Sequence, residues 1–190
     1  MKTLFDKNLR RPNFIFVKKI KKIFFYYVRP KDKNILYVYS SKDNNPVKKI
    51  NLTFFDSLLI KLDKFNLFGE MNVDGTKFFL RNYNGLIIKI INLSKIKKNI
   101  ESMFFNEKDN TILILDSKYK QLITIYLNNL SLIKIKYKKF LIKNLNFNNA
   151  KFCSINSNKF IFCNYDKVFF LNKRFKIIKK LNKKEKDGPY

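Results

Sequence analysis

Histidine and tryptophan are absent from this chain of 190 residues, alanine occurs once, at Ala150, and acidic residues number only 14. Without an imidazole there is no Ser-His-Asp or Cys-His nucleophile system, no histidine acid or base, and no histidine-bearing zinc site. Two cysteines, Cys153 and Cys163, are too few for a disulfide framework or a four-thiolate metal centre. They sit in an apolar stretch as small hydrophobes, ten residues apart around Ser157-Asn158, which leaves a cross-strand disulfide open. Lys or Asn interrupts every apolar run well short of the roughly 18 residues of a spanning helix, so no membrane span is expected. The opening Met1-Lys2-Thr3-Leu4-Phe5-Asp6 has no secretory apolar core or cleavage site.

Cationic and apolar residues fill the space. Lys and Arg together number 41, for a formal charge of +27, and 46% of the chain is hydrophobic, enough for one domain or two small ones. Arginine supplies only Arg10, Arg11, Arg29, Arg81 and Arg174, so the charge is almost all lysine. Such an excess suits neutralisation of a polyanion, read by backbone shape more than by bidentate contacts to bases. Lys, Asn, Ile, Phe and Tyr, whose codons are mainly A and T, crowd the sequence, which fits an organellar genome, an endosymbiont or an AT-rich protist nucleus. The Asp residues, such as Asp63, Asp74 and Asp116, stand singly at turns, where capping explains them better than acid/base chemistry. The chain is therefore read as non-enzymatic, with no cofactor, metal or small-molecule substrate.

Residues 1–62 alternate basic clusters with aromatic and β-branched runs, as in Lys18-Lys19-Ile20-Lys21-Lys22 followed by Ile23-Phe24-Phe25-Tyr26-Tyr27-Val28. They read as short strands or as a basic arm that orders on a partner. Pro12, Pro30 and Pro46 punctuate this part, and no proline follows until Pro189. Beyond it, Asp74-Gly75 and Tyr83-Asn84-Gly85 flank Lys77-Phe78-Phe79-Leu80-Arg81, and Leu86-Ile87-Ile88-Lys89-Ile90 completes a β-hairpin. Residues 100–105 and 111–115 make a second strand pair across an Asn- and Asp-rich turn. After Asp116-Ser117, both good N-caps, Tyr119, Leu122, Ile123, Tyr126, Leu127, Leu130 and Ile133 fall at helical spacing. Strands over 140–145, 147–155, 159–163 and 168–171 follow. Asn172 then caps a basic terminal helix in which Phe175, Ile178 and Leu181 recur every three residues. The expected fold is α+β: two tandem antiparallel sheet-plus-helix units, 63–133 and a shortened 134–190, behind a basic N-terminal extension, 1–62.

The stretch Val73 to Lys89 resembles the first hairpin of the large-subunit ribosomal protein L-six family, with Gly75, Arg81, Gly85, Ile87 and Lys89 matching in type and Asn82, Tyr83 and Asn84 departing. Asp109-Asn110-Thr111-Ile112 and Asp116-Ser117-Lys118 look like that family's second strand pair and first helix start. Leu127-Asn128-Asn129 looks like that helix's end. Asn144-Leu145-Asn146-Phe147-Asn148 stands where the family has Gly-Val-Gly-Tyr-Arg, and Gly188-Pro189-Tyr190 is similar to its tail. The resemblance covers 63–190 and implies a structural constituent of the mitochondrial large ribosomal subunit. It further implies binding to large-subunit rRNA near the sarcin-ricin loop and translational GTPase site, with other ribosomal proteins as neighbours. The expected rRNA contacts are Lys134, Lys136, Lys138, Lys139, Lys159, Lys173, Arg174, Lys179, Lys180, Lys183, Lys184 and Tyr190. Aromatics interleaved with lysine at Lys134-Ile135-Lys136-Tyr137-Lys138-Lys139 are candidates for base stacking, although most aromatics are needed for the core.

A second reading makes the chain an organelle-encoded accessory or scaffold subunit of a membrane-associated complex, its basic face against anionic headgroups and its strands for protein contacts. Short strands with turns at regular intervals also resemble part of a β-propeller, an interaction scaffold.

Overall fold

The computed structural model describes residues 14–30, 33–43, 45–55, 57–93, 98–128, 130, 133–140, 150–156, 159–164, 167–172 and 174–182. The chain divides into two compact units, Met1–Val73 with Lys77–Asn92, and Asp74–Thr76 with Leu93–Tyr190. In the first, β1 (Phe14–Ile20), β2 (Ile23–Arg29), β3 (Ile35–Ser40) and β4 (Pro46–Asn51) form one antiparallel meander. A second is built from β5 (Ser57–Leu62), β6 (Leu67–Asn72), β7 (Lys77–Asn82) and β8 (Ile87–Asn92), with a 3-10 turn at Asp63–Phe65. The second unit repeats the plan, first with β9 (Ile100–Asn106), β10 (Thr111–Asp116), β11 (Gln121–Tyr126) and β12 (Lys134–Lys139). Its other meander holds β13 (Lys151–Asn156), β14 (Lys159–Cys163), β15 (Lys167–Asn172) and β16 (Ile177–Asn182).

The α+β expectation is wrong: the described residues contain no α-helix. The segment read as the first helix is the turn Ser117–Lys120 followed by β11, because Leu122-Ile123-Thr124-Ile125 is a β-branched run buried on both faces and not a one-sided stripe. Asp116 caps a turn instead of a helix, its Oδ1 accepting the backbone N–H groups of Lys118 at 3.1 Å and Tyr119 at 3.4 Å. The basic terminal helix is likewise β16, an edge strand on β15. With both helices gone, the resemblance to ribosomal protein L-six fails, since that fold needs a helix on each sheet. The hairpins β7–β8 and β9–β10 are present as expected. Both cysteines are free. Of the expected strand over 140–145, all but Phe140 lies outside the described residues, as does the 144–148 segment.

Period-two alternation explains each core. In the first unit Phe16, Tyr27 and Val38 stand in register across β1, β2 and β3 and pack on Phe68 and Tyr83 of the neighbouring sheet. Phe16 stacks on Tyr27 with ring centroids 4.5 Å apart. On the face of β6 opposite Phe68, Gly69 leaves room for the ring of Phe78: a Cβ there would lie 2.2 Å from Phe78 Cζ. The second unit joins Leu113, Leu115 and Leu122 of one sheet to Phe152, Phe160, Phe162, Phe169 and Leu171 of the other.

The buried charged side chains Arg29, Glu70 and Arg81 of the first unit are hydrogen-bonded. The Arg81 guanidinium donates to Glu70 Oε2 at 2.7 Å, to the Gly85 carbonyl at 2.6 Å and to Thr53 Oγ1 at 2.6 Å. Glu70 Oε1 accepts the backbone N–H groups of Thr53 and Phe54 at 2.7 and 3.0 Å. Arg29 similarly donates to the carbonyls of Lys33, Phe55 and Ser57, tying β2 to the start of β5.

Candidate functional site

Strand β12 is the edge of its sheet and has the sequence Lys-Ile-Lys-Tyr-Lys-Lys. Its alternation puts Lys134, Lys136 and Lys138 on one face, directly across from Tyr126, Thr124 and Leu122 of β11. The same face continues through Leu113 and Thr111 on β10. Beyond it the rings of Phe160 and Phe175 close a pocket of about 390 Å3, which Asn106 and Asp109 also line.

Two ammonium groups mark this pocket. Lys136 Nζ lies 5.3 Å from the centroid of Tyr126, and Lys138 Nζ lies 4.5 Å from that of Phe175. An aromatic face steers a cation without neutralising it, and an ammonium group carries three N–H donors. In the lining, Asp109 Oδ2 accepts from the Asn106 amide at 2.8 Å. On the opposite face Tyr137 donates its hydroxyl to the Leu93 carbonyl, and burial raises its phenol above the ordinary value. Lys98 Nζ stands 5.9 Å from the Tyr137 ring; burial lowers its pKa, with Asp116 and Asp74 opposing that shift. Lysines on an exposed edge strand also prevent sheet-to-sheet association, which by itself accounts for Lys134.

Among the residues expected to bind a polyanion, Lys136 and Lys138 meet in the pocket. Lys134 shares their face at the strand's start, whereas Lys139 stands across from Gln121 with its side chain on the other face. Lys159 opens β14, and Arg174 lies in the turn before β16. Lys179 and Lys180 point to opposite faces of β16, across from Phe170 and Phe169, so they form no common patch. Lys173, Lys183, Lys184 and Tyr190 lie outside the described residues. Tyr126 and Phe175 each fit a helical apolar stripe in the sequence, which conceals them as site residues. The available signal was the strict alternation of Lys134-Ile135-Lys136-Tyr137-Lys138, which is a strand pattern.

No protein-family model and no curated protein matches the chain. Solved structures do. It is similar to Hsv2 of Kluyveromyces lactis, at TM-score 0.56 and 12% identity over 82% of this chain and 55% of that one. The WD40 β-propeller domain of Doa1 is matched at TM-score 0.59 and 8% identity, over 90% of this chain and 54% of that one. A protein of unknown function from Bacteroides caccae is matched at TM-score 0.61 and 11% identity, over 94% and 71%. The chain spans about half the length of the Hsv2 and Doa1 structures. At such identities the likeness concerns the fold alone, four-stranded meanders of the propeller type. It overturns the ribosomal reading, because four successive β-meanders are not two sheet-plus-helix units. No helix among the described residues is long and apolar enough to cross a membrane.

Proposed function

We propose that the chain is a non-catalytic interaction module of propeller-type blades, an accessory or scaffold subunit that holds an acidic polypeptide partner through the β12 face. The observation that carries this reading is the pocket in which Lys136 and Lys138 are held over Tyr126 and Phe175. A carboxylate-bearing side chain entering it meets two ammonium donors, with Asn106, Thr111 and Thr124 as additional hydrogen-bonding groups. The net charge of +27 steers such a partner from a distance and makes its capture sensitive to salt.

The test is the anisotropy of a labelled oligo-glutamate peptide titrated with the protein at low and moderate salt. Charge reversal by Lys136→Glu with Lys138→Glu is expected to weaken binding by about tenfold or more, the loss of one charge-assisted hydrogen bond being enough for that. Equal affinity in the double variant would remove the pocket from the reading.

A further inference from the structure

The sheet β13–β16 has two apolar faces. One is the core face of Phe152, Phe160, Phe162, Phe169 and Leu171. Register places Cys153 beside Ile161 and Cys163 beside Val168 on the other face, with Phe170 next to Ile161. All five are half-buried. Toward the sheet's margins on this side, Ile155 and Leu181 are 48% and 43% exposed. An antiparallel sheet with one face to water ordinarily carries polar residues there, so an apolar strip on this side is built for cover.

The surroundings state the chemistry of that cover. Lys151, across from Cys163, and Lys179, across from Phe170, flank the strip on the two outer strands. Residues 150–182 contain eight Lys and Arg and a single acidic residue, Asp166. We infer that this face docks an acidic polypeptide presenting an apolar strip edged by carboxylates. A phosphodiester chain has nothing to fill the apolar centre. A bilayer takes up side chains that project, whereas those of Cys153, Ile161, Cys163, Val168 and Phe170 lie half-buried. A second copy would bring +27 against +27. The inference rests on the reading of the chain as an interaction module but uses a surface distinct from the β12 pocket.

Cys153 and Cys163 are the only thiols of the chain and both lie on this face, so alkylation reports its occupancy directly. Iodoacetamide modification of each cysteine is followed by mass spectrometry, alone and with an alternating Glu-Val peptide. The peptide at ten times its dissociation constant is expected to slow both reactions by about tenfold. A Gln-Val peptide of equal length should protect far less, and Lys151→Glu with Lys179→Glu should abolish the protection by the Glu-Val peptide. The Lys136→Glu, Lys138→Glu protein should keep it, which separates this face from the pocket. The inference is overturned if the Glu-Val peptide leaves the rates unchanged or the Gln-Val peptide protects equally. It is also overturned if anionic phosphatidylglycerol vesicles protect as well as the acidic peptide, or if raising the protein concentration alone does so.

Discussion

Asn82 and Asn172 hold the same position in two different sheets. Each ends the third strand of its meander and turns its side-chain oxygen over the loop to the fourth. Asn82 Oδ1 accepts the N–H groups of Asn84 and Leu86 at 3.0 Å each; Asn172 Oδ1 accepts those of Arg174 and Lys176 at 2.9 and 3.1 Å. The turn then closes identically, with Gly85 donating to the Asn82 carbonyl at 2.9 Å and Phe175 to that of Asn172 at 2.8 Å. Replacing either asparagine by alanine leaves two turn N–H groups without their partner and should cost about 1 kcal/mol. Aspartate, which keeps the acceptor, should recover most of it. Urea midpoints at unchanged slope measure both effects.

The closing residue of these turns carries a positive φ, 90° at Gly85 and 59° at Phe175, and Lys120 adopts 49° in the turn before β11. Lys120 is exposed, so Lys120→Gly relieves a left-handed lysine with little packing to lose and should stabilise by about 0.5 kcal/mol, net of the glycine's entropy. Phe175→Gly relieves the same strain but empties a site buried among Phe140, Phe152 and Phe160, and should destabilise by about 3 kcal/mol. Opposite shifts in the thermal midpoint are expected; shifts of one sign would show that backbone strain or packing alone governs both turns.

These turns also explain what could be read from the residues and what could not. The four sheets begin at Phe14, Ser57, Ile100 and Lys151, spacings of 43, 43 and 51 residues, yet the side chains along the strands do not repeat. The repeat survives in turn chemistry, where Asn82 stands against a glycine and Asn172 against a phenylalanine, so a search by residue identity passes over it. Hairpins closed by Asp74-Gly75 and Asn84-Gly85 are legible because few other residues serve such turns. β11 reads as a helix because a short apolar run with both faces covered satisfies either period, and β16 because Phe175, Ile178 and Leu181 recur every three residues. The pocket was half legible: alternation places Lys136 and Lys138 together, but Phe175 reaches it from another sheet, a contact that no local pattern encodes.

The pair Arg81 and Glu70 is buried, with side chains 5% and 0% exposed, and joins β6, β7 and the Thr53-Phe54 segment. Removing one partner strands a charge. Arg81→Met or Glu70→Met alone should each cost about 3–5 kcal/mol, whereas the double change to methionine should recover most of the loss by leaving no unpaired charge. Chemical denaturation of the four proteins forms the cycle. Additive losses in the double variant would mean that the two groups are held by their other hydrogen bonds and not by each other.

Tyr27 and Tyr83 give the first unit an alkaline limit. Burial pushes the Tyr27 phenol from 10.0 up to about 12. Tyr83 is raised as well, first by burial and then by the charge of Asp63, to whose Oδ1 its hydroxyl donates at 3.3 Å. Lys18 lies over the Tyr83 ring at 3.7 Å and donates to Asn66. Below pH 10 both phenols are neutral in the folded and the unfolded chain alike. As pH rises from 10 toward 12 the unfolded chain releases these protons first, so ionisation favours unfolding and the stability present below 10 is lost across that window. Tyr27→Phe has no proton to release and should flatten its share of the loss. Every other ionisable group is common to the two proteins, so the difference between them isolates Tyr27. Urea midpoints at about pH 9 and about pH 11, with phenolate absorbance followed in parallel, measure it; an identical decline in the two proteins would show that this phenol ionises as freely in the folded chain as in the unfolded one.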